Sequence, residues 1–205
     1  AEMLDRYAGD MKRLFTEVLK ISRGRQSRTI FPFNIALIGF MGTGKSTVGP
    51  LLAHALGRKF IDLDKEIERR EGCFIHEIFA SRGEAGFRAL ETKLIAELGH
   101  EEDLVIACGG GAVLTESNRE ALRAGSKLVR LTASPQTVLE RVGKLGDRPL
   151  LGGSPTYAAV AELMTQREPI YVEAADLTVD TDGLSPQDVC ERIMTGLLEI
   201  CRNQP

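Results

Sequence analysis

An α/β fold, a doubly wound parallel sheet of five strands with helices on both faces, is what this chain predicts, and three observations predict it. Short apolar runs alternate with helix-patterned stretches from about residue 34 onward, as expected of strands covered on both faces. A glycine-rich loop stands between the first apolar run and the first helical stretch. A run of three glycines follows the third apolar run, at the carboxyl edge where such sheets bind ligands.

The strands are expected at 34–39, 59–62, 104–108, 127–131 and 177–180. The first, Asn34-Ile-Ala-Leu-Ile38, runs into Gly39-Phe-Met-Gly-Thr-Gly-Lys-Ser-Thr47, and Val48 to Leu56 then reads as a helix. The first eight of these, Gly39 to Ser46, fit G-x-x-x-x-G-K-[ST], and strand, glycine loop and helix in that order make the pattern a phosphate-binding P-loop. Around Gly42, Thr43, Gly44, Lys45, Ser46 and Thr47, successive backbone N–H groups converge on phosphate oxygens at a helix N-terminus. Lys45 suits the β/γ-phosphates and the Ser46 hydroxyl suits Mg²⁺. The chain binds a nucleotide on this reading.

The second strand ends in Asp62-Leu-Asp64. On an extended segment both carboxylates face one cleft, where one supports Mg²⁺ through water and the other receives a substrate hydroxyl. Asp62 or Asp64 equally suits the N-cap of a helix over Lys65 to Arg70, and the two roles are compatible. Gly83 to Arg88 lies before or within a helical run reaching about Leu98. Arg88 and Glu91, spaced i, i+3, are helix neighbours, a surface ion pair being the plain alternative. Cys108-Gly-Gly-Gly-Ala112 offers bare N–H groups to a ligand or else makes a simple turn; its place after a buried strand favours the ligand.

Gly143 to Pro155 is rich in Gly and Pro and reads as an irregular, mobile lid. Arg141, Arg148 and Arg167 surround it. Lid arginines neutralise charge on a transferring phosphoryl group once water is excluded, although each taken singly reads as a surface residue. His54, His76 and His100 are isolated and lack metal spacing, so they read as structural or surface residues.

The 205 residues suit one well-packed domain with a small appendage. A net charge of −3 gives no general attraction to nucleic acid or to an anionic membrane. No apolar run reaches the length of a membrane span, and no signal-peptide pattern is present. The four cysteines lack C-x-x-C pairing, which fits free thiols in a reducing cytoplasm better than disulfides or zinc.

Together these motifs resemble the shikimate kinase family. The resemblance is carried by the P-loop, Phe60-Ile-Asp-Leu-Asp64 with Ile67-Glu68, Ile78-Phe79, Gly83-Glu84 with Phe87-Arg88 and Glu91, Gly109-Gly-Gly111, Arg148-Pro-Leu-Leu151, and Arg167 with Tyr171. They occur in family order from about residue 34 to 200. The resemblance implies a P-loop kinase-like fold and transfer of the ATP γ-phosphoryl group to the 3-hydroxyl of shikimate, a step of aromatic amino-acid biosynthesis. It implies Lys45 on the phosphates, Ser46 and Asp62 serving Mg²⁺, and Asp64 on the shikimate hydroxyls as candidate base. Arg88 and Arg167 would grip the carboxylate, with backbone contacts from Gly109, Gly110 and Gly111. Phe79, Phe87 and Glu91 would shape the pocket, Arg148 would come from the lid, and Arg141 would lie near the adenine. Two guanidinium groups suit one carboxylate, and a carboxylate suits a polyol. Pro50 departs from the family, which has a basic or polar residue there, and is expected to bend the P-loop helix. Near Asp182 to Pro186 no adenine-contacting arginine stands out.

Residues 1–30 read as an amphipathic helix and linker ahead of a kinase-like unit over 31–205, with Met3, Leu4, Tyr7, Met11, Leu14, Phe15, Val18 and Leu19 at helical spacing. Leu14 to Gln26 resembles the last helix of an all-α chorismate mutase, so the chain is either the kinase part of a mutase–kinase fusion or carries an ordinary packing helix. Two rival functions stand beside shikimate phosphorylation. One is a kinase for another acceptor, such as gluconate or a nucleoside monophosphate. The other is a silent nucleotide-binding module, which would have no need to keep Lys45, Ser46, Asp62, Asp64 and Arg148 together.

Overall fold

The computed structural model describes residue 24 and residues 26–142 and 156–203. Five strands, β1 (Asn34–Ile38), β2 (Lys59–Asp62), β3 (Leu104–Ala107), β4 (Ser126–Thr132) and β5 (Leu177–Asp180), form one sheet in the order β2-β3-β1-β4-β5. Every pairing is parallel. The helices are α1 (Lys45–Leu56), α2 (Leu63–Glu71), α3 (Ile75–Leu98), α4 (Glu116–Gly125), α5 (Pro135–Val142), α6 (Tyr157–Ala174) and α7 (Pro186–Arg202), with a 3₁₀ turn at Ala112–Leu114.

All five residues of β1 are buried, and their alternation divides the core. Ala36 and Ile38 join one apolar cluster with Ile61, Ile106, Leu128, Phe87 and Leu94, while Ile35 and Leu37 join another with Val48, Leu52, Val129 and Ile193. Side chains that point to opposite faces of a central strand require helices on both sides. The register Ala36 to Ile106 and to Leu128 places the carboxyl ends of β1, β3 and β4 at one edge. The P-loop and the triple glycine both issue from that edge, which is why they meet.

Three expectations are refined here. Helix α1 begins at Lys45 rather than Val48, and its N-cap Gly44 has φ 99, a left-handed conformation that glycine adopts without cost. The helix runs unbroken through Pro50; proline removes only the bond to Ser46, and Pro50 points to solvent. Helix α3 carries a break at Gly83, with φ 68 and ψ −179, so the stretch that bears Phe87, Arg88 and Glu91 starts afresh just before them.

The amino-terminal approach is sewn to the base of the sheet. Arg58 is only 7% exposed, and it donates to the carbonyls of Phe33 at 2.6 Å and Phe31 at 2.5 Å and to Ser27 Oγ at 3.0 Å. Burial, aided by nearby Arg28, pulls its pKa down to about 10. Arg28 pairs with Asp103, and Asn34 bridges the Glu101 carbonyl and the Leu104 N–H. Of the expected helix and linker at 1–30 and the mutase-like stretch at 14–26, only residue 24 and residues 26–30 are described, and these are helical where a linker was expected. The expected lid at 143–155, with Arg148, also lies outside them.

Candidate active site

The P-loop is held by its own side chains. Thr43 Oγ1 donates to the Phe40 carbonyl at 2.8 Å, and Lys45 Nζ donates to the carbonyls of Gly39 and Phe40, each at 2.7 Å. Its outer wall is fixed by Arg141 on α5, whose guanidinium donates to Gly42 O at 3.2 Å, Thr181 Oγ1 at 3.0 Å and Thr181 O at 3.2 Å. A cavity of about 640 Å³ extends from Gly42, Thr43, Gly44, Lys45, Ser46 and Thr47 to Arg141, Thr181, Leu184, Pro186 and Val189. One end is lined by phosphate-cradling backbone and the other is apolar, the shape of a nucleotide site.

A second cavity, of about 300 Å³, opens beside it and is lined by Asp64, Phe79, Phe87, Arg88, Glu91, Gly109, Gly110, Gly111 and Arg167. Met41, Ser46, Asp62, Asp64, Lys65 and Gly110 line both cavities, so the two spaces meet at the end of β2. Asp62 ends that strand and caps α2, its Oδ1 accepting from Lys65 N at 3.3 Å, while Asp64 stands in the first helical turn. Both carboxylates reach the cleft, but by the turn of a helix rather than along an extended strand; capping and site duty coexist.

Arg88 is no surface residue. It is 19% exposed, donates to Glu91 Oε2 at 2.8 Å and Glu84 Oε1 at 3.1 Å, and lies against the Phe87 ring at 5.3 Å. Burial works against its charge, but Glu91 and Glu84 outweigh it and hold the guanidinium protonated. Glu91 is 0% exposed, and its Oε1 has no hydrogen-bond partner among the described residues. Burial, and the charge of Asp64 nearby, push its pKa upward against the pull of Arg88. The absence of a side chain at Gly109 makes this convergence possible: a Cβ there would stand 2.7 Å from Glu91 Oε1 and 2.8 Å from Asp64 Oδ1.

Arg167 faces Arg88 across the cavity from α6. Its guanidinium lies 5.8 Å over the Phe40 ring, and its Nη1 is buried with no partner among the described residues, which is costly unless a ligand supplies the acceptor. Phe79 and Phe87, with centroids 5.1 Å apart, make the apolar wall.

The structure thus brings together every candidate site residue except Arg148, which lies outside the described residues. It adds Met41, Lys65, Glu68, Ile75 and His76 to the lining. His76, stacked on Phe74 at 5.7 Å, stands at the pocket rather than on an indifferent surface; its place at the start of α3, on the same cavity as Asp64, had no local signal. The apolar end of the nucleotide cavity is built by Leu184, Pro186 and Val189, and only their position after a parallel strand hinted at it.

Comparison with known proteins agrees with this geometry. The family model described as shikimate kinase matches residues 41–198. A shikimate kinase of Geobacter sulfurreducens is 49% identical over 166 residues, which is 81% of this chain and 91% of the relative. That of Geobacter metallireducens is 47% identical, covering 81% and 92%. Among solved structures, shikimate kinase from Acinetobacter baumannii in complex with shikimate superimposes with a TM-score of 0.78 at 38% identity, covering 84% of this chain and 96% of that one.

Proposed function

This chain belongs to the shikimate kinase family, and from that premise we propose how its residues divide the reaction it performs, transfer of the γ-phosphoryl group of ATP to the 3-hydroxyl of shikimate. The observation that carries the division is the meeting of two cavities at Ser46, Asp62, Asp64 and Gly110, with Arg167 lining the smaller one and its Nη1 without a partner among the described residues. The larger cavity takes ATP, with Gly42 to Thr47 around the phosphates and Arg141 beside the base. The smaller takes shikimate. Arg88 and Arg167 grip its carboxylate from two sides, Gly109, Gly110 and Gly111 let it approach the backbone, and Phe79, Phe87 and Glu91 set the shape.

Asp64 accepts a hydrogen bond from the 3-hydroxyl and takes its proton as the oxygen bonds to the γ-phosphorus and the bond to the β-phosphate oxygen breaks, releasing ADP. Such a transition state asks more for alignment and charge stabilisation than for a strong base. Lys45 supplies charge at the phosphates, and by motif Arg148 adds more from the 143–155 segment. Ser46 and Asp62 are the residues that would hold Mg²⁺. They are hard oxygen donors at the junction of both cavities, and a cation shared with phosphates needs only one or two protein oxygens. When bound, Mg²⁺ neutralises phosphate charge.

The test is ADP release with shikimate, gluconate and nucleoside monophosphates as acceptors, repeated with Asp64→Asn. Turnover on shikimate alone, lost in the variant, is expected; turnover on another acceptor but not shikimate overturns the reading. The free cysteines Cys73, Cys108, Cys190 and Cys201 support a reducing, cytoplasmic setting, and no helix among the described residues is long and apolar enough to cross a membrane. The mutase-like sequence of residues 14–26 supports an upstream fused module. Without the remaining mutase helices this chain is expected to show no conversion of chorismate to prephenate, and measurable conversion refutes that.

A further inference from the structure

The triple glycine and α6 come from distant parts of the chain, and one side chain joins them. Tyr171, one helical turn beyond Arg167 on α6, is 3% exposed and donates its hydroxyl to the Gly110 carbonyl. Burial pushes the phenol's pKa upward, and the charge of Arg167 nearby opposes that push. Tyr171 does not line the acceptor cavity, whereas Gly110 and Gly111 do. The Gly110 carbonyl is therefore turned away from the cavity, toward the tyrosine behind it.

The described chain has no cis peptide bond. In a planar trans peptide the C=O and the following N–H point in opposite directions. Holding the Gly110 oxygen from behind thus aims the Gly111 N–H forward. No described backbone carbonyl accepts from that N–H. Gly111 also lies directly against the Arg88 guanidinium, since a Cβ on it would meet Arg88 Nη2 at 2.3 Å.

We infer that Tyr171 is a positioning residue for acceptor recognition: its hydroxyl sets the Gly110–Gly111 peptide, so that the Gly111 N–H joins Arg88 and Arg167 in one three-donor seat for the carboxylate. A glycine-flanked peptide has little of its own to fix its rotation, because glycine permits most backbone angles. A buried phenol, rigid but for two torsions and anchored by its ring, supplies the missing restraint. The inference rests on the carboxylate reading of Arg88 and Arg167 given above.

The test replaces Tyr171 by phenylalanine, which keeps the ring in the core and removes only the oxygen. The KM for shikimate is expected to rise about tenfold, the effect of losing one well-placed hydrogen bond, with the KM for ATP and the melting temperature little changed. The preference for shikimate over its uncharged methyl ester falls in the variant. Arg167→Lys is measured alongside to separate the two readings. If it leaves shikimate kinetics intact, the carboxylate reading itself fails. If it impairs them while Tyr171→Phe does not, only the role of Tyr171 fails. Equal losses for ATP and shikimate in Tyr171→Phe, or a fall in melting temperature that accounts for the lost activity, also overturn the inference, because a merely structural tyrosine would not discriminate between substrates.

Discussion

Replacing Gly111 by alanine is predicted to uncouple acceptor use from nucleotide binding. Gly111 has φ −104 and ψ −2, angles open to alanine, so the backbone itself offers no objection. The objection comes from Arg88. The new methyl would stand 2.3 Å from Nη2 and 2.6 Å from both Cζ and Nη1, where ordinary contact begins at 3.4 Å. The guanidinium must therefore retreat by about 1 Å, a displacement of the size that costs roughly 100-fold when it misplaces a substrate-orienting group. It cannot retreat freely, because Glu91 and Glu84 hold it at 2.8 and 3.1 Å. The measurement is the initial rate of ADP release against shikimate concentration at saturating ATP, with ATP affinity taken separately by calorimetry. We expect kcat/KM for shikimate to fall roughly 100-fold, about 2.7 kcal/mol of transition-state stabilisation, while ATP binds as before. Shikimate kinetics close to wild type would refute the reasoning, because the methyl would then have found room that the packing denies it. An equal loss of ATP affinity would refute it too, by showing damage not confined to the acceptor side.

Further expectations address stability. Glu91 titrates above its ordinary value of 4.5 because burial disfavours its charge, so its contribution to folding is fully present below about pH 4.5 and is lost as pH rises through the folded-state pKa. The melting temperature of wild type relative to Glu91→Gln should decline as pH is raised above that value; a difference that is constant or grows with pH rules the assignment out. Gly49→Ala sets two effects against each other. Alanine favours a helix interior by about 1 kcal/mol, but the methyl would fall 2.2 Å from Phe60 Cε2, and overpacking costs about 1–3 kcal/mol. The second should win, lowering the melting temperature by a few degrees; a rise in a thermal melt would show that the Phe60 ring swings aside at no cost.

Much of this architecture was legible because parallel α/β folds write themselves locally. The unbroken apolar run Asn34 to Ile38 can only be a strand covered twice, and Gly39 to Thr47 after it fixes both the turn and the anion it cradles. Arg88 and Glu91 were visible as helix neighbours, although their burial depends on the distant triple glycine and no local spacing reveals it. What stayed hidden is where chain distance had to be closed by packing. His76 reaches the pocket because α3 packs against α2, and Tyr171 meets Gly110 across 61 positions. Leu184, Pro186 and Val189 carry no local sign of a site, yet they line one cavity with the P-loop, Arg141 and Thr181. The extended, same-side geometry expected of Asp62 and Asp64 gave way to helix geometry because Asp62 caps α2 at once.

The buried guanidinium of Arg58 gives the segment before β1 a duty that its composition does not announce. Its described hydrogen bonds go to main-chain oxygens and one hydroxyl, so residues 27–33 act as the solvation shell of an interior cation. Such a shell is indifferent to most side-chain identities but strict about path, because carbonyls serve only from where the chain carries them. Any module placed upstream is therefore joined through a segment, residues 27–33, of fixed length and course. Insertion within it strands a charge inside the protein, whereas insertion ahead of it leaves that charge solvated.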